Sequence, residues 1–126
     1  MARIERFEEI EAWKKARELT REVYRKTSSA IFGKDVGLRD QLQRASVSTM
    51  ANIAEGFDGG SNREFIKFLG YAFRSATEVQ SHLYVALDQG YITQRDFDSI
   101  YDLTVQAKNL VRGFMRYLRS QRRARP

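Results

Sequence analysis

The chain has 126 residues, 42% apolar and 30% charged, with a formal net charge of +6; this fits one globular domain with its own core and excludes a disordered chain. The absence of cysteine excludes disulfides, a thiol nucleophile and thiolate metal sites, and a single histidine, His82, supplies neither zinc spacings nor a di-iron bundle. Pro126 is the only proline and no uncharged run approaches ~18 apolar residues, which argues against a many-turned β fold and a membrane span; a charged start without an apolar core makes the cytoplasm the expected location.

The spacing of Ala12, Ala16, Leu19 and Val23 predicts one face of a helix over about residues 8–27. Ile10, Trp13, Thr20 and Tyr24 widen that face. Its charges read as a solvated surface, with Glu18 and Glu22 offered partners at i±4 such as Lys14, Arg25 and Lys26. Gly33 and Gly37 interrupt the next stretch, and Asp35 suits the N-cap of a second helix over about residues 36–57. That helix carries two adjacent stripes: Leu38, Leu42, Ala45, Thr49 and Ile53, then Val47, Met50, Ala54 and Phe57. Together they cover more of the circumference than a single bundle face needs. The excess predicts deep burial or contact with another subunit, through Val47, Met50, Ala51, Asn52, Ala54 and Phe57.

Asp58-Gly59-Gly60 ends the second helix, and Ser61 with Glu64 fits a capping box. The third helix is expected over about residues 62–89, with Gly90 as the left-handed residue after its end and Tyr91 or Ile92 closing the contact. Thr93 and Asp96 resemble another capping pair, opening a fourth helix over about residues 94–119. Residues 120–126 read as a basic tail, frayed from Arg122 onward. Short loops make the expected fold an all-α, antiparallel up-down-up-down four-helix bundle in a single domain.

The fourth helix carries the sharpest functional signal. Lys108, Arg112, Arg116 and Arg119 fall within an arc under ~90°, joined by Arg123 if the helix continues. From Lys108 to Pro126 there are seven basic residues and no acidic one. Such a stripe is placed to contact phosphates; the alternative is a solvated face that complements the helix C-terminus. On the third helix, Lys67, Tyr71 and Arg74 share the polar face, where an aromatic between cations could stack on an unpaired base. The simpler alternative pairs Arg74 with Glu78 and leaves Tyr71 packed at an edge. Catalytic patterns are weak. Glu55 and Glu78 could meet as a carboxylate pair, Gly33-Lys34 lacks the rest of a phosphate loop, and His82 is expected to be packed or hydrogen-bonded. No catalytic residue, cofactor or metal ligand is assigned.

The run Ala51-Asn52-Ile53-Ala54-Glu55-Gly56-Phe57 resembles the signature of the bacterial four-helix bundle protein family, often encoded in intervening sequences of 23S ribosomal RNA genes. The stretch from Phe7-Glu8-Glu9-Ile10-Glu11-Ala12-Trp13 to Leu19, Arg63-Glu64-Phe65-Ile66-Lys67-Phe68-Leu69, and Gly90-Tyr91-Ile92 are also similar to that family. Met50 stands where many members have proline, and Arg74-Ser75 where many have Gly-Ser. The resemblance implies a four-helix bundle, no catalytic residues and a homo-oligomer, a ring of five. Similar proteins accompany the reverse transcriptases of diversity-generating retroelements, where a basic five-subunit barrel binds nucleic acid and the enzyme. The expected partner is nucleic acid, RNA more than DNA. The alternative is an oligomeric scaffold docking an acidic protein through the same stripe.

Overall fold

The computed structural model describes residues 3–124, with side chains through Gln121. A 3-10 turn at Phe7–Glu9 leads into α1 (Glu11–Thr27), and a second at Phe32–Lys34 leads into α2 (Val36–Asp58). They are followed by α3 (Asn62–Asp88) and α4 (Gln94–Ala124). The first helix starts later than its periodicity suggests, because Ile10 is extended and residues 7–9 coil more tightly. The last runs further: no glycine or proline interrupts residues 114–124, so positions 120–124 are helical rather than a tail. The helix passes through position 123, but the side chains of Arg122, Arg123 and Arg125 lie outside the described part.

Helix ends follow local chemistry. The Asp35 carboxylate accepts from Leu38 N–H at 3.1 Å, and Ser61 Oγ accepts from Glu64 N–H at 3.1 Å. The return bond from Ser61 N–H to Glu64 is not made, so only half of that capping box forms. Thr93 and Asp96 form both halves: Asp96 N–H donates to Thr93 Oγ1 at 3.0 Å, and Thr93 N–H to Asp96 Oδ2 at 3.5 Å. Gly90 has φ +74°, and Tyr91 N–H closes the turn on Ala86 O at 2.9 Å. This is the left-handed termination that glycine permits at lowest cost.

Contacts between helices fix an antiparallel order. Thr20 Oγ1 donates to Ser46 O at 3.0 Å, whereas Thr27 meets Gln43 further on. Ser48 and Ser75 hydroxyls meet at 2.9 Å, whereas Gly56 lies against Phe65 and Phe68. Gln80 bonds Thr104 at 2.8 Å, whereas Phe65 packs on Phe114. Lys26 then ties the end of α1 to Asp96 at the start of α4, 3.0 Å away. Each helix therefore packs on its chain neighbours, and α4 closes the bundle on α1.

The core has two apolar clusters. One gathers Leu19, Val23, Phe32, Leu42, Leu83 and Ile100; the other gathers Ile10, Ile53, Phe65, Leu69, Val111 and Leu118. Small and polar residues, among them Ser46, Thr49, Ala76 and Ala107, lie between the clusters. No buried side-chain nitrogen or oxygen among the described residues lacks a hydrogen bond. The second apolar stripe of α2 is largely used inside the chain. Met50 and Phe57 pack against the second cluster, Ala51 and Ala54 are half-buried, and Asn52 donates to Ser48 at 2.9 Å. Val47 is the member left exposed, at 40%. The helix runs unbroken through Met50, as the absence of proline there permits.

Two acidic residues hold the end of the bundle that carries the 32–35 and 89–93 connections. Besides capping α2, Asp35 accepts from Tyr91 Oη at 3.0 Å, and Tyr91 packs on Phe32 with centroids 5.1 Å apart. Asp35→Ala removes a cap and a cross-loop bond together, and chemical unfolding should show a loss of about 1–2 kcal/mol. The bond to Lys26, helped by Thr93, holds the Asp96 carboxyl below its ordinary value against a smaller opposing effect of burial. A depressed folded-state value stabilises above the unfolded value and is lost as pH falls through the folded one. Stability measured at about pH 5 and about pH 3 should therefore fall less in Asp96→Asn than in the parent.

Candidate nucleic-acid interface

The antiparallel pairing of α3 and α4 brings the two predicted basic clusters onto one surface. The first half of α3, with Lys67, Tyr71 and Arg74, lies beside the last part of α4, with Arg112, Arg116 and Arg119. All six side chains are exposed. The acidic residues of α4, Asp96, Asp98 and Asp102, all sit in its first third, toward the other end of the bundle. Among the described residues, Lys67, Arg74, Arg112, Arg116 and Arg119 take no carboxylate partner. In contrast, Lys14, Lys15, Arg25 and Lys26 are all paired, Lys15 with Glu18 and Arg25 with Glu22 at i+3 rather than i+4. The first helix is thus a largely paired, solvated face, although Arg17 and Arg21 take no carboxylate partner among the described residues.

The stripe on α4 is not uniform. Lys108 turns into the seam between α3 and α4, where its Nζ donates to Gln80 Oε1 at 3.0 Å and sits 4.7 Å from the Phe73 ring centroid. Burial, and then the nearby Arg112 guanidinium, push its ammonium below the ordinary lysine value. Lys108 therefore belongs to the packing between the helices rather than to the open surface. Arg112 lies at the lip, its guanidinium 5.0 Å from the same ring. Arg116 and Arg119 reach solvent. Tyr101, about two turns back along the arc from Lys108, is partly buried and stacked on Phe97 with centroids 5.3 Å apart.

On α3, the expected Arg74–Glu78 pair does not form. Glu78 instead meets His82 at i+4, Oε2 to Nε2 at 3.2 Å. His82 is accordingly hydrogen-bonded, as expected of a lone histidine. Tyr71 is 40% exposed and packs edge-on against Phe68 at 5.4 Å. Glu55 and Glu78 do not face each other: Gly56 lies level with Phe65 and Phe68, whereas Ser75 lies opposite Ser48.

Between the two arginine sets runs a groove of about 330 Å³, lined by Gly70, Phe73, Arg74, Arg112, Met115 and Arg119. Its floor is apolar, its rim carries guanidinium groups, and none of its lining residues is acidic. The sequence pointed to the arginines. It did not point to Gly70, Phe73 or Met115, whose role depends on which helix lies opposite.

The family model for the 23S rRNA-intervening sequence protein matches residues 8–113. The chain belongs to that family. Among solved structures, this member of the intervening-sequence family is similar to a protein of unknown function from the S23 ribosomal protein family of Bacteroides thetaiotaomicron, with a TM-score of 0.75 and 25% identity. The match covers 82% of this chain and 97% of the other. No curated protein matches it. The family match ends at residue 113, so it takes in Lys67, Tyr71, Arg74, Lys108 and Arg112 but not Arg116 or Arg119. Among the described residues, no helix is long and apolar enough to cross a membrane, and no group of His, Cys, Asp and Glu is placed to hold a metal ion.

Proposed function

We propose that this protein is a non-enzymatic, cytoplasmic nucleic-acid-binding protein that works as a homo-oligomer and prefers structured RNA. The observation that carries the reading is the unneutralised surface shared by α3 and α4. Lys67, Arg74, Arg112, Arg116 and Arg119 lie together on it without a carboxylate partner among the described residues, while four of the six cations of α1 are paired. Arginines so arranged suit bidentate phosphate contacts and carry no base code, so recognition is by shape and charge. The family's link to ribosomal RNA genes makes RNA the favoured polymer. Oligomerisation, with five subunits favoured, would repeat the surface and raise its avidity. Exposed apolar residues such as Val47 and Leu110 are available to build the contacts.

The test is equilibrium binding of the purified protein to labelled structured RNA and to duplex DNA of equal length, with its solution mass determined in parallel. Tighter binding to RNA by an assembly larger than one chain is the expected result. Failure to bind either polymer at low salt would overturn the reading, and an acidic protein partner would then be the better candidate for the same surface.

A further inference from the structure

Gly70 occupies the middle of a long helix, where glycine costs about 1 kcal/mol relative to alanine. Packing does not demand it. A Cβ built there would come no nearer than 4.0 Å to the Met115 methyl, an ordinary contact. This differs from Gly56, where a Cβ would lie 2.7 Å from the Phe68 Cβ. What the missing side chain at Gly70 does is open the groove between Arg74 on α3 and Arg112 and Arg119 on α4.

The groove's charge is in excess of what one internal nucleic-acid phosphate offsets. A phosphodiester carries a single negative charge and two non-bridging oxygens. A terminal phosphomonoester carries about −1.5 to −2 near neutral pH and presents three acceptor oxygens. Arg74, Arg112 and Arg119 give three guanidinium forks to meet them, and the apolar floor of Gly70, Phe73 and Met115 reduces solvent screening. Lys108 does not compete for the same ligand, since its ammonium is held by Gln80 beneath the lip. Glu78, the carboxylate nearest along α3, is engaged by His82.

We infer that this groove is a seat for a terminal phosphate, so that the protein favours nucleic-acid ends bearing a phosphomonoester over ends bearing a hydroxyl. The inference rests on the nucleic-acid reading above and makes it more specific. Arg74, Arg112 and Arg119 bind the phosphate, and Gly70 keeps the space for it.

The test uses one internally labelled RNA hairpin in two forms, with a 5′-monophosphate or a 5′-hydroxyl end. The phosphorylated form should bind about ten-fold more tightly, as an added charge of about −1.5 to −2 facing several cations suggests. Gly70→Leu, which fills the groove but keeps every cation, should abolish the preference, so that the two forms bind with equal affinity. Should that variant fail to fold, Arg74→Gln is the second probe, with the same loss of preference expected. Equal affinity of the two forms for the unaltered protein would overturn the phosphate seat and leave general nucleic-acid binding standing. No binding of either form would overturn both.

Discussion

Gly56→Ala should lower the unfolding free energy by about 1–3 kcal/mol, as read from the midpoint of urea denaturation. Gly56 is buried where α2 crosses α3. A Cβ there would stand 2.7 Å from Phe68 Cβ, 3.0 Å from Phe65 Cδ1 and 3.3 Å from Phe65 O. Two of these atoms are fixed to the α3 backbone and cannot rotate away, so the helices must separate or shift. That disturbs Phe65, which touches both Phe57 and Phe114 and so joins α2, α3 and α4. Alanine's better helix propensity, worth about 1 kcal/mol, offsets part of the loss. A larger residue offsets nothing further, so Gly56→Leu should leave little folded protein at ordinary temperature. The opposite result is expected at Gly113, an exposed glycine of α4 with nothing within 4 Å of a built Cβ. Gly113→Ala should raise stability by about 0.5–1 kcal/mol. A pair of variants shifted in the same direction would contradict this packing of α2 on α3.

Reversing charge on the α4 surface should weaken RNA binding at least about 100-fold in the double variant Arg112→Glu, Arg116→Glu. Each substitution removes a phosphate contact and adds a repulsion, and about 1.4 kcal/mol at each position is sufficient for the effect. The bundle should survive. Arg116 is exposed and takes no carboxylate partner among the described residues. Arg112 gives up its place over Phe73, worth about 0.5–1 kcal/mol. In return, a carboxylate at position 112 would remove the repulsion that, after burial, pushes the Lys108 ammonium down. Far-ultraviolet circular dichroism should therefore remain that of the parent while affinity falls. Lys108→Gln provides the contrast. Since that ammonium is held by Gln80 inside the seam, its removal should change RNA affinity much less than Arg112→Gln does.

Much of the fold is legible in the sequence because its determinants are local. Asp35, Ser61, Thr93 and Gly90 mark helix boundaries through bonds to residues only a few positions away. The apolar spacing along α1, α3 and α4 likewise selects the buried residues before any partner is known. The end of α4 is misread because charge and polarity resemble a tail, although no residue there breaks a helix. Parts of the candidate site are hidden for a different reason. Lys108, Arg112 and Arg116 look equivalent on a helical wheel, and only the presence of Gln80 across the seam separates the first from the others. Gly70 has no local signal of a groove, because the groove requires Met115 and Arg119 from α4. Gly56 is part of a recognisable motif, yet the need for glycine comes from the Phe65 and Phe68 turn that crosses it.

Contact between the unpaired arginines of the joined α3 and α4 surface and nucleic-acid phosphates can be read from the salt dependence of binding. The decisive quantity is the slope of log K against log salt for a structured RNA, compared between the parent and Arg112→Gln. A residue that contacts a phosphate contributes to counterion release, so its loss should make the slope shallower by about one contact's worth and weaken binding at every salt concentration. A steep negative slope is expected for the parent, with that reduction in the variant. Identical slopes and affinities in the two proteins would contradict phosphate contact by this surface.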